Sequence, residues 1–237
     1  MVLSIDDIVK MEVETFIPDE SHYKMFATPL KPPSAFRNAH RDKLVDFFKF
    51  EELQEQLEEA PKIVLNLMPS YLPADDFTKI KNELNKSINH FILVAISMGE
   101  SAEKPPLLQE LFGISDGSLI HIYELGIDLV KKNNHKDATA LFVFLTTLTP
   151  YVPSFWIAQG ICLQALDRHE DAIENFKTAK LLKPVDLLSL FYLIESYKNL
   201  KLDEEAKIEF ESLKSLIQTF EGDDKVKWEQ KINEISI

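Results

Sequence analysis

Cysteine is almost absent from this chain: Cys162 stands alone among 237 residues. An internal disulfide is therefore excluded, and a reducing compartment is expected. Glycine is scarce too, with six in the chain, and strand-like alternation of β-branched residues is rare, so the leading class is all-α. Cationic excess is lacking. The formal net charge is −13, and the acidity runs the length of the chain without forming a tail. Such a chain is repelled by phosphate backbones and anionic bilayers, which argues against nucleic-acid binding and membrane insertion. Long apolar runs are missing as well: Ile88–Met98 is too short to span a bilayer and opens with Asn89 and His90 near its start. Met1–Lys10 lacks the apolar stretch of a signal peptide, so a cytoplasmic protein is expected.

Chemistry-bearing motifs are equally scarce. There is no nucleophile elbow, no phosphate-cradling glycine loop and no zinc-spaced cysteine pair. His135 and His169 recur one repeat apart, but at interhelical turns, where a solvated structural role is expected. Asp137, Glu170 and Asp171 fall in the first turns of helices and complement the helix dipole there. Cys162 reads as packing. The expectation is a non-enzymatic protein with no cofactor and no metal.

What the chain does have is periodicity. Gly126, Ala138, Phe142 and Pro150 return 34 residues later as Gly160, Ala172, Phe176 and Pro184, and Ala206 and Phe210 continue the series. A 34-residue period with this order of small, aromatic and proline residues marks the tetratricopeptide repeat. The expected fold is an all-α repeat superhelix: repeats at 119–152, 153–186 and 187–220, then a capping helix at 223–237 carrying Val226, Trp228, Ile232 and Ile235. Small residues let helix axes approach, and large ones such as Trp156, Leu163, Tyr197 and Phe210 fill the space between. Asn133 and Asp167 fall where a left-handed turn residue is needed. Repeat 3 departs from the pattern, with Ile194 in place of the helix glycine and Lys201 at the turn.

Ahead of the repeat domain (105–237) lie a weakly structured arm (1–40) and a helical region (41–104). Proline at 29, 32 and 33 suggests an extended segment over Thr28–Pro33. Apolar spacing suggests a helix from Arg41 to Ala60, stopped by Pro61. A second helix is capped by Asp75 or Asp76, with Phe77, Ile80, Leu84, Ile88, Phe91 and Ala95 on one face and Gly99 as its end. Glu100–Pro106 reads as a linker. Leu107–Gly113 gives a further turn or two of helix, and Ser118 can cap the first repeat.

Positions 2, 5, 9 and 12 of each first helix face the concave side of such a stack. Here they are Ile120, Tyr123, Ile127 and Val130; Ser154, Ile157, Ile161 and Gln164; Leu188, Phe191, Glu195 and Lys198. This largely apolar set suits a peptide-binding groove, unless the protein's own N-terminal segments cover part of it. Repeat proteins that clamp a C-terminal carboxylate place lysine and asparagine at positions 5 and 9. Tyr123, Ile127, Ile157 and Ile161 would leave that carboxylate desolvated and unpaired.

Three stretches carry a family resemblance: Leu107–Ser115, Leu119–Gly126 and Phe155–Leu166. Over roughly 105–220 the chain resembles the class II chaperones of bacterial type III secretion, chlamydial members in particular. Those proteins keep hydrophobic translocator subunits soluble before export. The resemblance implies a translocator or other secreted protein as client, peptide contacts from Tyr123, Ile127, Ile157, Ile161 and Phe191, and a homodimer formed through an N-terminal helix. The first 104 residues are longer than the family's single helix and arm. A rival expectation makes them a separate helical module of a structural or assembly scaffold.

Overall fold

The structure is a computed structural model that describes residues 14, 17, 19–21, 24, 32–47, 51–97, 108–233 and 235. Among these residues every regular element is a helix. The expected linker at 100–106 and the helix end at Gly99 lie outside them. No helix of the described residues is long and apolar enough to cross a membrane.

The chain divides into two compact units, Met1–Asp128 with Val143–Tyr151 and Leu129–Phe142 with Val152–Ile237. In the first unit, α1 (Pro33–Phe47) starts well before Arg41. Proline at a first helical position needs no N–H partner and has its φ preset for the helix, so Pro33 opens the helix that it was expected to block. Arg37 on α1 is paired with Glu14 at 2.7 Å.

The next helix, α2 (Glu51–Leu67), runs through Pro61. An interior proline costs about 3 kcal/mol. Burial on either side of it offsets that cost: Ala60, Val64 and Met68 are all but inaccessible, as are Ile80 and Leu84 in the same unit. The last two lie on α3 (Ala74–Ser97), whose first turn is preceded by Pro73. Asp75 and Asp76 sit within that first turn as dipole partners and are not the cap.

The short α4 (Leu108–Phe112) ends at Gly113, with φ +62. There Gly113 N donates to Glu110 O and Ile114 N to Gln109 O, both at 3.1 Å. This is the Schellman arrangement, which needs a left-handed residue at its turn. After it, α5 (Asp116–Lys131) is capped by Ser115, one turn earlier than Ser118. Ser118 N donates to Ser115 Oγ at 3.4 Å, and Ser115 N in turn donates to the Glu83 carboxylate of α3 at 3.0 Å. Tyr71 donates to Asp128 of α5 at 2.6 Å. The N-terminal helical region is thus bonded directly to the first repeat helix.

The remaining helices are α6 (His135–Leu148), α7 (Pro153–Ala165), α8 (His169–Leu182), α9 (Leu187–Asn199), α10 (Asp203–Ile217) and α11 (Gly222–Asn233). In the second unit, α7 packs on α8, α8 on α9, α9 on α10 and α10 on α11. The turns between the two helices of each repeat are the same device used three times. Asn133, Asp167 and Lys201 adopt φ of 60, 63 and 59. At each, the next residue's N–H reaches back to close a Schellman turn: Asn134 to Leu129, Arg168 to Leu163, Leu202 to Tyr197, all at 2.9 Å. Asparagine and aspartate tolerate that conformation; lysine carries it under strain.

Between α7 and α8 the approach is close enough to require Gly160. A Cβ there would meet the Phe176 ring at 2.6 Å. Phe176 is fully buried and stacks on Tyr192 of α9 at 5.6 Å between centroids. Lys180 of α8 and Glu209 of α10 pair at 2.6 Å with little exposure, tying repeats 2 and 3 together.

Candidate functional site

The expected contact residues are best taken unit by unit. In the first unit, Ile120 is 56 % exposed, a large apolar side chain left in water. Tyr123 and Ile127 are half-buried. Desolvation raises the Tyr123 phenol above its ordinary value.

In the second unit, Val130, Ile161, Gln164, Leu188 and Lys198 are half-buried, while Ile157 and Phe191 are buried. Ser154 is exposed at the head of α7. Gln164 donates from Nε2 to Ser196 Oγ at 3.3 Å, which brings the ends of α7 and α9 side by side. The first-helix positions of repeats 2 and 3 therefore belong to adjacent helices.

Phe191, 7 % exposed, is in contact with α11. The Trp228 ring meets it edge-on at 6.1 Å, and the Lys231 ammonium lies 4.1 Å above its centroid. Lys231 is also 5.1 Å from the Trp228 ring and 5.8 Å from Tyr192. Three aromatic rings thus surround one cation, the arrangement that recognises ammonium groups. Glu195, one turn on from Phe191, has its carboxyl raised by burial, an effect that Lys231 and Lys198 partly offset.

Sequence reasoning counted Trp228 as part of a cap and overlooked Lys231 and Tyr192. The signal was present: Trp228 and Lys231 stand three apart and so share a helix face.

Groups with catalytic potential are engaged structurally. Cys162 is fully buried between helices; burial pushes its thiol up to about 12, against a hydrogen bond with Thr139 that lowers it. Such a thiol is inert as a nucleophile. His169 sits at the start of α8 with Nε2 3.1 Å from Asp167. It is less solvated than expected, because its Nδ1, like that of His135, is turned inward without a hydrogen-bond partner. Among the described residues no group of three His, Cys, Asp or Glu side chains could hold a metal ion.

No protein-family model matches the sequence, nor does any curated protein. Solved structures do match in fold. A chain of the CopN–Scc3 complex aligns at 19 % identity over 79 % of this chain and all of that one, with a TM-score of 0.52. A chain of a type III secretion complex from Aeromonas hydrophila aligns at 23 % identity over 54 % of this chain and 84 % of that one, at 0.51. The type III secretion translocator chaperone SycD of Yersinia enterocolitica aligns at 20 % identity over 55 % of this chain and 99 % of that one, at 0.50. By fold, the chain is an all-α tetratricopeptide-type repeat protein, similar in fold to a translocator chaperone of known structure and to a chain of the CopN–Scc3 complex.

Proposed function

We propose that this protein is a cytoplasmic, non-enzymatic chaperone or adaptor of type III secretion. It holds an apolar segment of a secreted client on its first-helix positions and so blocks premature association. The observation that carries this reading is the apolar row Ile157, Ile161, Leu188 and Phe191 on adjacent helices of the second unit. The row stands on a fold shared with a translocator chaperone and with a chain of the CopN–Scc3 complex.

The physics of capture follows from the residues. Half-buried Ile161 and Leu188 lose little conformational freedom when covered, and each adds apolar area that leaves water. Gln164 and Lys198 at the far ends of their helices supply polar register. A client segment of alternating apolar side chains, including proline and leucine, would seat its anchors there, while a terminal carboxylate would find no partner. On the same reading, Val130 joins the contact residues of the second unit, Ile120, Tyr123 and Ile127 are client contacts of the first unit taken by itself, and the protein works as a monomer or a homodimer.

Co-purification of secreted clients from the source organism tests the proposal. Ile161→Asp should lower client recovery at least about tenfold while leaving the helical circular dichroism unchanged. Clients recovered equally by wild type and Ile161→Asp would overturn it.

A further inference from the structure

The position-5 residue of the third repeat is already occupied. Phe191 belongs to the apolar row of the second unit, yet it is covered by Trp228 and Lys231 of the chain's own last helix. We propose that α11 is a displaceable latch, an intramolecular occupant of the third repeat's binding surface that must swing away before a partner segment can reach Phe191. This rests on the reading of that surface as the client site.

Two features of α11 argue for a latch over an integral layer of the fold. The first is how little of it is buried. Among its described side chains Ile232 alone is buried, whereas α9 buries Leu187, Ser189, Leu190, Phe191, Leu193, Ile194, Ser196 and Tyr197. Val226, half of whose surface faces water, contributes little. A helix with few buried apolar contacts opens locally at small cost, long before the unit as a whole unfolds.

The second feature is the chemistry of what does hold it. A lysine seated among Phe191, Tyr192 and Trp228, near the half-buried Glu195, is attracted by ring faces and by a carboxylate. A layer that only needed to seal a repeat edge would achieve this with leucine or isoleucine. Lysine keeps strong hydration in the open state, so the closed and open states of α11 stay close in free energy. The contact is specific in geometry and modest in strength, as a displaceable occupant requires.

Hydrogen–deuterium exchange on the full chain decides the matter without any client. The protected amides of α11 should exchange about a hundredfold faster than those of α9. Lys231→Gln should speed α11 about fivefold further and leave α9 unchanged, and Lys231→Arg should restore the wild-type rate. The dye bis-ANS should bind Lys231→Gln more strongly than wild type as Phe191 is uncovered. If α11 exchanges at the rate of α9, or if Lys231→Gln speeds both helices together, α11 is an integral part of the unit and the latch is overturned. Since these measurements need no client, the latch can fail while Ile161→Asp still abolishes client recovery, and the reverse also holds.

Discussion

Repeats 2 and 3 answer the same packing problem in opposite ways. In repeat 2, Gly160 lets the Phe176 ring lie against the backbone of α7, and Phe176 is fully buried. In repeat 3 the equivalent pair is Ile194 and Phe210. There Ile194 is fully buried and Phe210 only half so. The volume under the second helix is filled from the second helix in one repeat and from the first in the other. Close packing requires that the space be filled, and it is indifferent to which chain segment supplies the atoms. The open edge matters too, for repeat 3 is followed by a lightly buried helix and not by another repeat.

The largest effect that tests this contrast is on the aromatic pair. Phe176→Ala should destabilise the protein by about 3–5 kcal/mol in urea denaturation. Phe210→Ala should cost about 1 kcal/mol, in keeping with its partial burial. Equal losses would show that the two repeats are packed alike after all. Next, Gly160→Ala should cost about 1–3 kcal/mol, because the new methyl group can be accommodated only by moving the Phe176 ring. Pairing it with Phe176→Leu should return part of that loss if the clash is its cause.

A smaller effect separates the turns. Lys201→Gly should raise stability by about 0.5–1 kcal/mol, since glycine relieves the left-handed strain but adds flexibility to the unfolded chain. Asp167→Gly should change stability less, aspartate being better suited to that conformation. Smaller still is a pH effect confined to repeat 3. Burial raises the Glu195 carboxyl in the folded state, so the folded protein holds this proton at pH values where the unfolded chain has lost it. Stability contributed by this group is therefore greatest at acid pH, and falls as pH climbs from about 4 through the raised value. Glu195→Gln should flatten that part of the urea midpoint against pH.

Much of this architecture was legible before any coordinates. The 34-residue period, the small residues at Ala138, Ala172 and Ala206, and the turn positions at Asn133 and Asp167 all correspond to observed features. These features are local or nearly so: a helix closes its bonds four residues back, and a Schellman turn closes within six. The errors lay where local rules met burial. Pro33 opens a helix and Pro61 sits inside one, because the rule against proline is worth only a few kcal/mol and a well-covered apolar face outweighs it. Ser115 replaced Ser118 as cap because the partner that fixes it, Glu83, comes from another helix.

The proposed contact row shows the same division. Which residues stand at the first-helix positions follows from the repeat alone, and so does the apolar character of Ile157, Ile161, Leu188 and Phe191. Whether each is open could not be read there. Phe191 is closed by Trp228 and Lys231, which belong to a helix beyond the last repeat, and no period links them to it. By itself the sequence determined an all-α repeat protein with matched turns and an apolar first-helix row, because periodic burial and short-range backbone geometry are written residue by residue. Only the tertiary structure decided that α11 lies over Phe191 and that α3 is tied to the first repeat. Those contacts join segments distant in the chain, and their choice depends on which surfaces remain uncovered once the local elements have formed.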